Sequence, residues 1–259
     1  MNKISIIHTA DGSHTLIQDN MQEHYHSTFG AINESKHIFI ENGLNYYFKK
    51  YPKNNYAILE IGFGTGLNAL LTKIELANKQ INCVYHTHET TLLNEEIYMS
   101  LNYPKILNVD PSLFYLMHQS TWDIPIMIDS LFELTKFLGK FENAFLAKNY
   151  YDIVFFDAFS PQIQPELWTE NIFQKIYLSM KSNGVLTTYS TKGIVKNALK
   201  TNGFHIEKIP GPCGKREILR AFKQFYFCAF IIHIKRHIVS QVFIFRYDSV
   251  DSFYVIINQ

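Results

Sequence analysis

Ile58-Leu59-Glu60-Ile61-Gly62-Phe63-Gly64-Thr65-Gly66-Leu67-Asn68 decides how this chain folds. An apolar run, an acid, three glycines at alternate positions and an amphipathic continuation predict strand, tight turn and helix. Glycine permits positive φ and lets a ligand come close to the main chain. The helix beyond it offers unpaired N–H groups and the positive end of its dipole. Such a turn suits a nucleotide-type ligand. The dinucleotide fingerprint needs glycine at its first, third and sixth positions, and the sixth here is Leu67. No Gly-Lys-Ser/Thr follows, which argues against a phosphate loop. A glycine-rich turn without a ligand is the plainer alternative.

Outward from that turn, strands and helices alternate. Tyr56–Ile61 is the first core strand and Leu67–Asn78 its helix; Asn82–His88 is a second strand ending at Glu89, and Thr91–Leu101 a helix. Pro104 to Trp122 mixes helix and loop. Phe132–Leu138 is the third strand, and Asp152–Asp157 has the unbroken apolar character of a central parallel strand. A helix over Pro165–Met180, a fifth strand over Gly184–Tyr189 and a helix over Lys192–Thr201 follow. Phe204–Ile209 and Glu217–Phe222 form a closing hairpin around Gly211-Pro212-Cys213-Gly214. Upstream, Ile4–Ile7 and His14–Ile17 flank Asp11-Gly12 as a hairpin, and Glu34–Phe48 reads as helix interrupted near Gly43. The fold expected is α/β: a doubly wound, mostly parallel Rossmann-like sheet with an antiparallel strand at its end and an N-terminal β-hairpin. Three regions follow: residues 1–50, hairpin and helix; 51–223, the α/β domain; 224–259, a tail. The tail has no glycine or proline and is dense in Phe, Tyr and Ile. An added strand pair, an oligomer contact and sequence that folds poorly all remain open for it.

A chain of 259 residues fits one large domain with small additions. Its net charge of +1 argues against a generic polyanion-coating protein but leaves room for a local basic patch. Cys83, Cys213 and Cys228 are widely spaced, without a CxxC, so neither a disulfide framework nor a zinc site is indicated. There is no signal-peptide pattern and no apolar run of membrane-spanning length, which makes the cytoplasm the expected location, without membrane attachment.

Three segments can carry chemistry. Glu89 ends the second strand, where a carboxylate can accept ribose hydroxyls of a nucleotide cofactor. His86 and His88 precede it, but no further ligand completes a metal site, and packed strand histidines are the better reading; no metal is expected. Asp157 falls at the carboxyl end of a central strand, where open α/β sheets bind their ligands. There it can orient an amine and accept its proton; capping the next helix is its structural alternative. Ala158-Phe159-Ser160-Pro161 makes a stiff turn with an aromatic face for a planar base, and Trp168 follows closely. Gly214-Lys215-Arg216-Glu217 lies at the closing hairpin, in a region where lysines and arginines outnumber acids, a pattern suited to RNA phosphates. Solvated lysines are the alternative there.

The acid followed by Gly-x-Gly-x-Gly resembles motif I of S-adenosylmethionine (SAM) methyltransferases. With Asp157-Ala158-Phe159-Ser160-Pro161, Pro165-Glu166-Leu167-Trp168-Thr169, Gly214-Lys215-Arg216-Glu217 and the upstream Asp11–Thr15 and His24–Ala31 segments, the set resembles the MnmC methyltransferase domain in its stand-alone form. The resemblance runs from about Thr9 to Phe222. It implies SAM-dependent N-methylation of 5-aminomethyl-2-thiouridine at the tRNA wobble position, reached through the anticodon loop. A flavin-dependent oxidase activity, fused in two-domain relatives, would then be supplied elsewhere. It also implies roles: Asp157 as catalytic acid–base group; Glu60, Gly62, Phe63, Gly64, Thr65, Gly66, Leu67, Asn68 and Glu89 toward SAM; Phe159, Ser160, Pro161, Trp168, Lys215 and Arg216 toward substrate. One departure stands out. Where the family usually carries an acid near the adenine, this chain has Gly139-Lys140-Phe141-Glu142; Glu142 substitutes, or backbone groups suffice, or cofactor affinity is reduced. Two rival readings are a spermidine-synthase-like aminopropyltransferase, which favours an acidic pocket, and a non-catalytic RNA- or protein-binding module with a degenerate cofactor site.

Overall fold

Alternation within the central strand divides the core in two. In the computed structural model, which describes residues 4–18, 23–77, 79–223, 230–232, 242–246 and 253–257, the chain separates into two compact units, residues 1–224 and 225–259. The first unit opens with a small antiparallel sheet of β1 (Ile4–His8), β2 (His14–Gln18) and β3 (Glu23–His24). Its main sheet comprises β4 (Asn55–Ile61), β5 (Asn82–Glu89), β6 (Ile126–Asp129), β7 (Phe132–Leu138), β8 (Tyr151–Phe156), β9 (Met180–Thr188), β10 (Phe204–Pro210) and β11 (Glu217–Lys223). The order is β10-β11-β9-β8-β4-β5-β7-β6. Pairs β4–β5, β4–β8, β5–β7 and β8–β9 are parallel, whereas β9–β11, β10–β11 and β6–β7 are antiparallel. The strand order reverses between β4 and β8, which opens a crevice at their carboxyl ends.

Tyr56 and Ile58 of β4, with Ile153 and Phe155 of β8, pack on one face beneath the helices of residues 31–50 and 67–77. Ala57, Leu59 and Ile61, with Val154 and Phe156, pack on the other beneath helices Glu170–Ser179 and Gly193–Thr201. Asp152 anchors the amino end of β8: fully buried, it accepts the Ala57 N–H (2.9 Å) and pairs with Lys53 and with Lys181 (3.0 Å). No helix among the described residues is long and apolar enough to cross a membrane.

Several elements differ from expectation. The antiparallel strand β11 lies inside the sheet, with β10 outside it, and a short strand, β6, pairs antiparallel at the opposite edge. Gly43 does not interrupt its helix: residues 31–50 are one continuous helix, π-wound over Lys36–Asn45. A Cβ on Gly43 would stand 3.0 Å from the Phe155 ring and 3.1 Å from Thr187 Oγ1, so the glycine serves close helix–sheet packing. The Pro165–Met180 helix divides into a 3₁₀ turn, Pro165–Trp168, and Glu170–Ser179, because Thr169 is extended (φ −88°, ψ 159°). Only Glu95–Met99 of the 91–101 segment is helical, starting where the Asn94 side chain accepts the Ile97 N–H.

In the second unit, β12 (Phe230–Ile232), β13 (Val242–Arg246) and β14 (Phe253–Ile257) form a three-stranded antiparallel sheet. The remaining tail residues, and with them the role left open for 224–259, lie outside the described residues.

Candidate active site

The glycine turn meets the β8 turn directly. Gly62 donates its N–H to the His88 carbonyl (2.9 Å), and Asp157 donates its own to the Ile61 carbonyl (2.9 Å), so both turns extend the parallel ladder. Gly62, Gly64 and Gly66 all take positive φ (95°, 50°, 72°) for different reasons. A Cβ on Gly62 would come within 2.6 Å of the Asp157 carbonyl oxygen, and one on Gly66 within 2.8 Å of His118 Nε2. At Gly64 it would meet only the Tyr25 ring, at 3.3 Å. Gly64 is thus the glycine whose missing side chain faces only another cavity-lining side chain.

That space is a cavity of about 670 Å³, bordered by residues 61–65, by Glu89, by the 139–142 loop, by Asp157–Phe159 and by residues 23–29 of the N-terminal segment. Glu89 is fixed at its edge: Oε2 accepts the Gly64 N–H (2.9 Å), while Oε1 accepts those of Thr90 (2.7 Å) and Thr91 (3.1 Å). A carboxylate has about four acceptor sites, so Oε2 retains one for a ligand hydroxyl. Asp157 is partly buried, and Asn68 Nδ2 donates to its Oδ2 at 2.8 Å. Burial, reinforced by the neighbouring Glu34 charge, pushes the Asp157 carboxyl well above the usual range. His26 and His118 are held neutral, down to about 4 and about 3 respectively, by burial. They therefore place no positive charge beside the turn. His26 Nε2 pairs with Thr65 Oγ1 (2.7 Å), and His118 Nε2 donates to the Thr65 carbonyl (3.1 Å).

The 158–161 turn is braced from four directions. Tyr189 donates its hydroxyl to the Ala158 carbonyl (2.9 Å), Trp168 Nε1 to the Phe159 carbonyl (2.8 Å), and Phe159 N–H to Gln164 Oε1 (2.9 Å). Ser160 donates its N–H (3.1 Å) and hydroxyl (2.9 Å) to Glu23. The Phe159 ring borders the cavity and meets Tyr25 edge-on at 5.0 Å.

The structure brings Gly62, Phe63, Gly64, Thr65, Glu89, Glu142, Asp157, Phe159 and Lys215 to one cavity wall. It does not bring the rest. Trp168, 1% exposed, stands behind the Phe159 turn as its brace, and Leu67 and Asn68 are buried in the helix after the glycines. Glu60 lies wholly beneath the site, both carboxylate oxygens without a hydrogen-bond partner, and burial pushes its carboxyl up to about 8. Ser160 points to Glu23, Pro161 lies beside the wall rather than in it, and Arg216 is exposed away from it. Four cations of the basic region are paired: Lys181 with Asp152 and Lys215 with Glu34, distant in sequence, and Arg220 with Glu207 and Lys208 with Glu217 within the closing hairpin. Lys140 and Glu142 both border the cavity, and Lys175 Nζ clamps their loop through the carbonyls of Phe141 (3.1 Å), Glu142 (2.5 Å) and Ala144 (3.0 Å).

Sequence reasoning missed Glu23, Tyr25, Glu34, Gln164 and Tyr189. Glu34 had one local signal, an acid in the first helical turn after a glycine; the others depend on contacts across the fold.

A family model described as S-adenosyl-L-methionine-dependent methyltransferase matches residues 126–224. The crystal structure of MnmC2 from Aquifex aeolicus superposes with a TM-score of 0.67 at 28% identity, over 85% of this chain and 70% of that one. The chain carries an MnmC-like methyltransferase domain. Similar curated proteins include the tRNA 5-methylaminomethyl-2-thiouridine biosynthesis bifunctional protein MnmC of Marinomonas sp. (strain MWYL1), 27% identical over 75% of this chain and 30% of its own length. The protein of the same name from Leptospira interrogans (serovar copenhageni) is 29% identical over 79% of this chain and 33% of its own. The MnmC-like chain thus spans about a third of the length of these relatives. Its cofactor is SAM, and the residues present fit it: the glycine turn borders the cavity with no side chain at Gly62 or Gly64, and Glu89 is pre-positioned with acceptor capacity to spare.

Proposed function

We propose that this MnmC-like domain methylates the aminomethyl nitrogen of 5-aminomethyl-2-thiouridine at the tRNA wobble position. The observation that carries the reading is Asp157, held by Asn68 at the cavity wall where the glycine turn and the aromatic 158–161 turn meet. Bound there, SAM supplies an electrophilic methyl group on its sulfonium. The glycine turn, Glu89 and Glu142 hold the cofactor, with Glu60, Leu67 and Asn68 supporting the turn from below. Asp157 receives the substrate ammonium, accepts one N–H proton and aligns the lone pair. Its raised pKa makes it a stronger base than an exposed aspartate. A wobble base lies in a single-stranded loop and can be splayed onto the Phe159 ring without melting a duplex. Arg216, exposed beyond the Lys215 turn, would meet phosphates of the anticodon loop. An upstream flavin-dependent oxidase would provide the aminomethyl group, and the reaction would run in the cytoplasm.

One observation favours a second reading. The cavity wall carries Glu23, Glu34, Glu89, Glu142, Asp157 and Glu166 against Lys140 and Lys215, an acidic balance that a polyamine-handling aminopropyltransferase would also use. Incubation with methyl-labelled SAM and tRNA lacking the final methyl, followed by nucleoside analysis, separates the two. Label in 5-methylaminomethyl-2-thiouridine supports methylation; no label there, with an aminopropylated product in a parallel incubation with decarboxylated SAM and a polyamine, overturns it. Asp157→Asn should retain SAM binding by calorimetry and lose methyl transfer by about 100-fold or more. Unchanged turnover would remove Asp157 from the chemistry.

A further inference from the structure

We infer that Glu34 is a second substrate-binding carboxylate, which together with Asp157 seats a cationic amine, and that Lys215 is the internal cation Glu34 holds before the amine arrives. The inference rests on the reading that the substrate is an amine.

Glu34 is placed by backbone. The helix carrying it begins after Gly30, whose φ is 143° and whose missing Cβ would stand 2.6 Å from Asp11 Oδ2. Asp11 in turn accepts the Asn33 N–H at 2.9 Å, fixing the first turn. Ser27 then donates its N–H to Glu34 Oε2 at 2.7 Å, leaving Oε1 to face Lys215 Nζ at 3.0 Å. The carboxylate has little freedom, is 8% exposed, and borders the same cavity as Asp157.

The cavity lining is acidic as a whole, with Glu23, Glu34, Glu89, Glu142, Asp157 and Glu166 against Lys140 and Lys215. At this end Glu34 is paired with Lys215, and burial together with the Glu34 charge holds the Asp157 carboxyl well above its usual range. An arriving ammonium relieves that repulsion by setting a cation beside both carboxyls. A primary ammonium presents the same three N–H donors as a lysine, so it can replace Lys215 on Oε1 without new geometry. Lys215 comes from a turn rather than a helix or strand, and it already lies 5.1 Å from the Tyr189 ring centroid. That aromatic face can keep the displaced charge. A half-buried ion pair adds little net stability, which leaves its position on the cavity wall as the feature needing a cause.

The test uses the protein loaded with S-adenosylhomocysteine and two anticodon-loop RNAs that differ only in carrying 5-aminomethyl or 5-hydroxymethyl on the wobble 2-thiouridine. The ratio of their dissociation constants reports recognition of the ammonium; phosphate contacts cancel. Wild type should prefer the amine by about 10-fold or more, the range of a charge-assisted hydrogen bond. Glu34→Gln should reduce that preference below about 3-fold and Glu34→Asp retain most of it. Lys215→Met should increase it, because the competing cation is gone. Both Glu34→Gln and Lys215→Met break the same ion pair, so a purely structural pair would move the ratio in the same direction in both. That outcome, or a preference unchanged in Glu34→Gln, overturns the inference while leaving the amine substrate intact. Equal wild-type affinity for the two RNAs removes the amine substrate and the inference together. Should Glu34→Gln fail to fold, the direction of the Lys215→Met change still decides.

Discussion

Replacing Gly62 and Gly64 by alanine, one at a time, should damage the protein in two separable ways. At Gly62 an L-residue must hold φ near 95°, at a cost of ~1–2 kcal/mol. Its Cβ must also find room 2.6 Å from the Asp157 carbonyl oxygen, which is main chain and cannot rotate aside. Overpacking of that kind costs ~1–3 kcal/mol. The sum is roughly 2–5 kcal/mol, and at 2–4 °C per kcal/mol for a chain of this size Tm falls by roughly 4–20 °C. At Gly64, φ is 50°, within the left-handed well, and the only atoms within 4 Å belong to the Tyr25 ring, which can yield. Stability should fall there by only ~1–2 kcal/mol. That alanine methyl, however, stands against a ring that lines the cavity, so SAM affinity should drop by about 10- to 100-fold. Thermal unfolding without ligand and calorimetric titration with SAM measure the two effects. Equal Tm losses in the two variants, or wild-type SAM affinity in Gly64→Ala, would refute the assignment of Gly62 to turn–turn packing and Gly64 to the ligand.

Glu60 should make stability fall with rising pH. Its carboxyl is protonated in both states below pH 4.5; above that the unfolded chain ionises while the folded one keeps its proton to about pH 8. The unfolded state thus binds fewer protons across this window, and wild type loses roughly 3–5 kcal/mol from this group between pH 5 and pH 8. Glu60→Gln should remove that slope in urea titrations at the two pH values; parallel curves for variant and wild type would show that Glu60 ionises normally. Trp168→Phe keeps the aromatic packing but deletes the bond to the Phe159 carbonyl, at ~1 kcal/mol of stability. It should lower kcat/KM for tRNA with SAM affinity unchanged; a loss confined to SAM binding would place Trp168 on the cofactor side instead.

The parts of this fold that the sequence made legible are those whose cause is local. β4 and β8 are largely apolar runs with an acid within one residue of the carboxyl end, Glu60 and Asp157, and the glycines between strand and helix carry their own backbone requirement. β9 shows the limit. Lys181, Ser182 and Asn183 are polar and separate the expected helix, ending at Met180, from the strand expected to begin at Gly184; in the structure Asn183 takes φ 66°. The strand nevertheless starts at Met180, and a register shift against β8 between Tyr151 and Ile153 accommodates the irregular residues. The resemblance places Trp168 toward substrate, but which way a side chain points is set by what packs on it, here Phe156 and Phe173. The ion pairs inside the basic region are hidden from the sequence for a similar reason. Glu34 and Asp152, which neutralise Lys215 and Lys181, come from helices and strands whose proximity only the folded chain reveals.

The N-terminal segment explains why the cavity has its particular shape. Residues 23–29 touch three turns that arise from different strand ends: Glu23 holds Ser160, His26 holds Thr65, and Phe29 fills the space that a side chain at Gly214 would take, 2.3 Å from that position. Each such contact singly contributes ~1 kcal/mol or less. Acting on three turns at once, they fix the glycine turn, the aromatic turn and the Lys215 turn relative to one another, which no single strand of the sheet can do. The parallel core positions Asp157 and Glu89 through β8 and β5 whatever the substrate. Two elements laid over that core, residues 23–34 and the 211–215 turn, add side chains to the cavity wall beyond those of the 158–161 turn. These are the elements that supply Glu34 and Lys215.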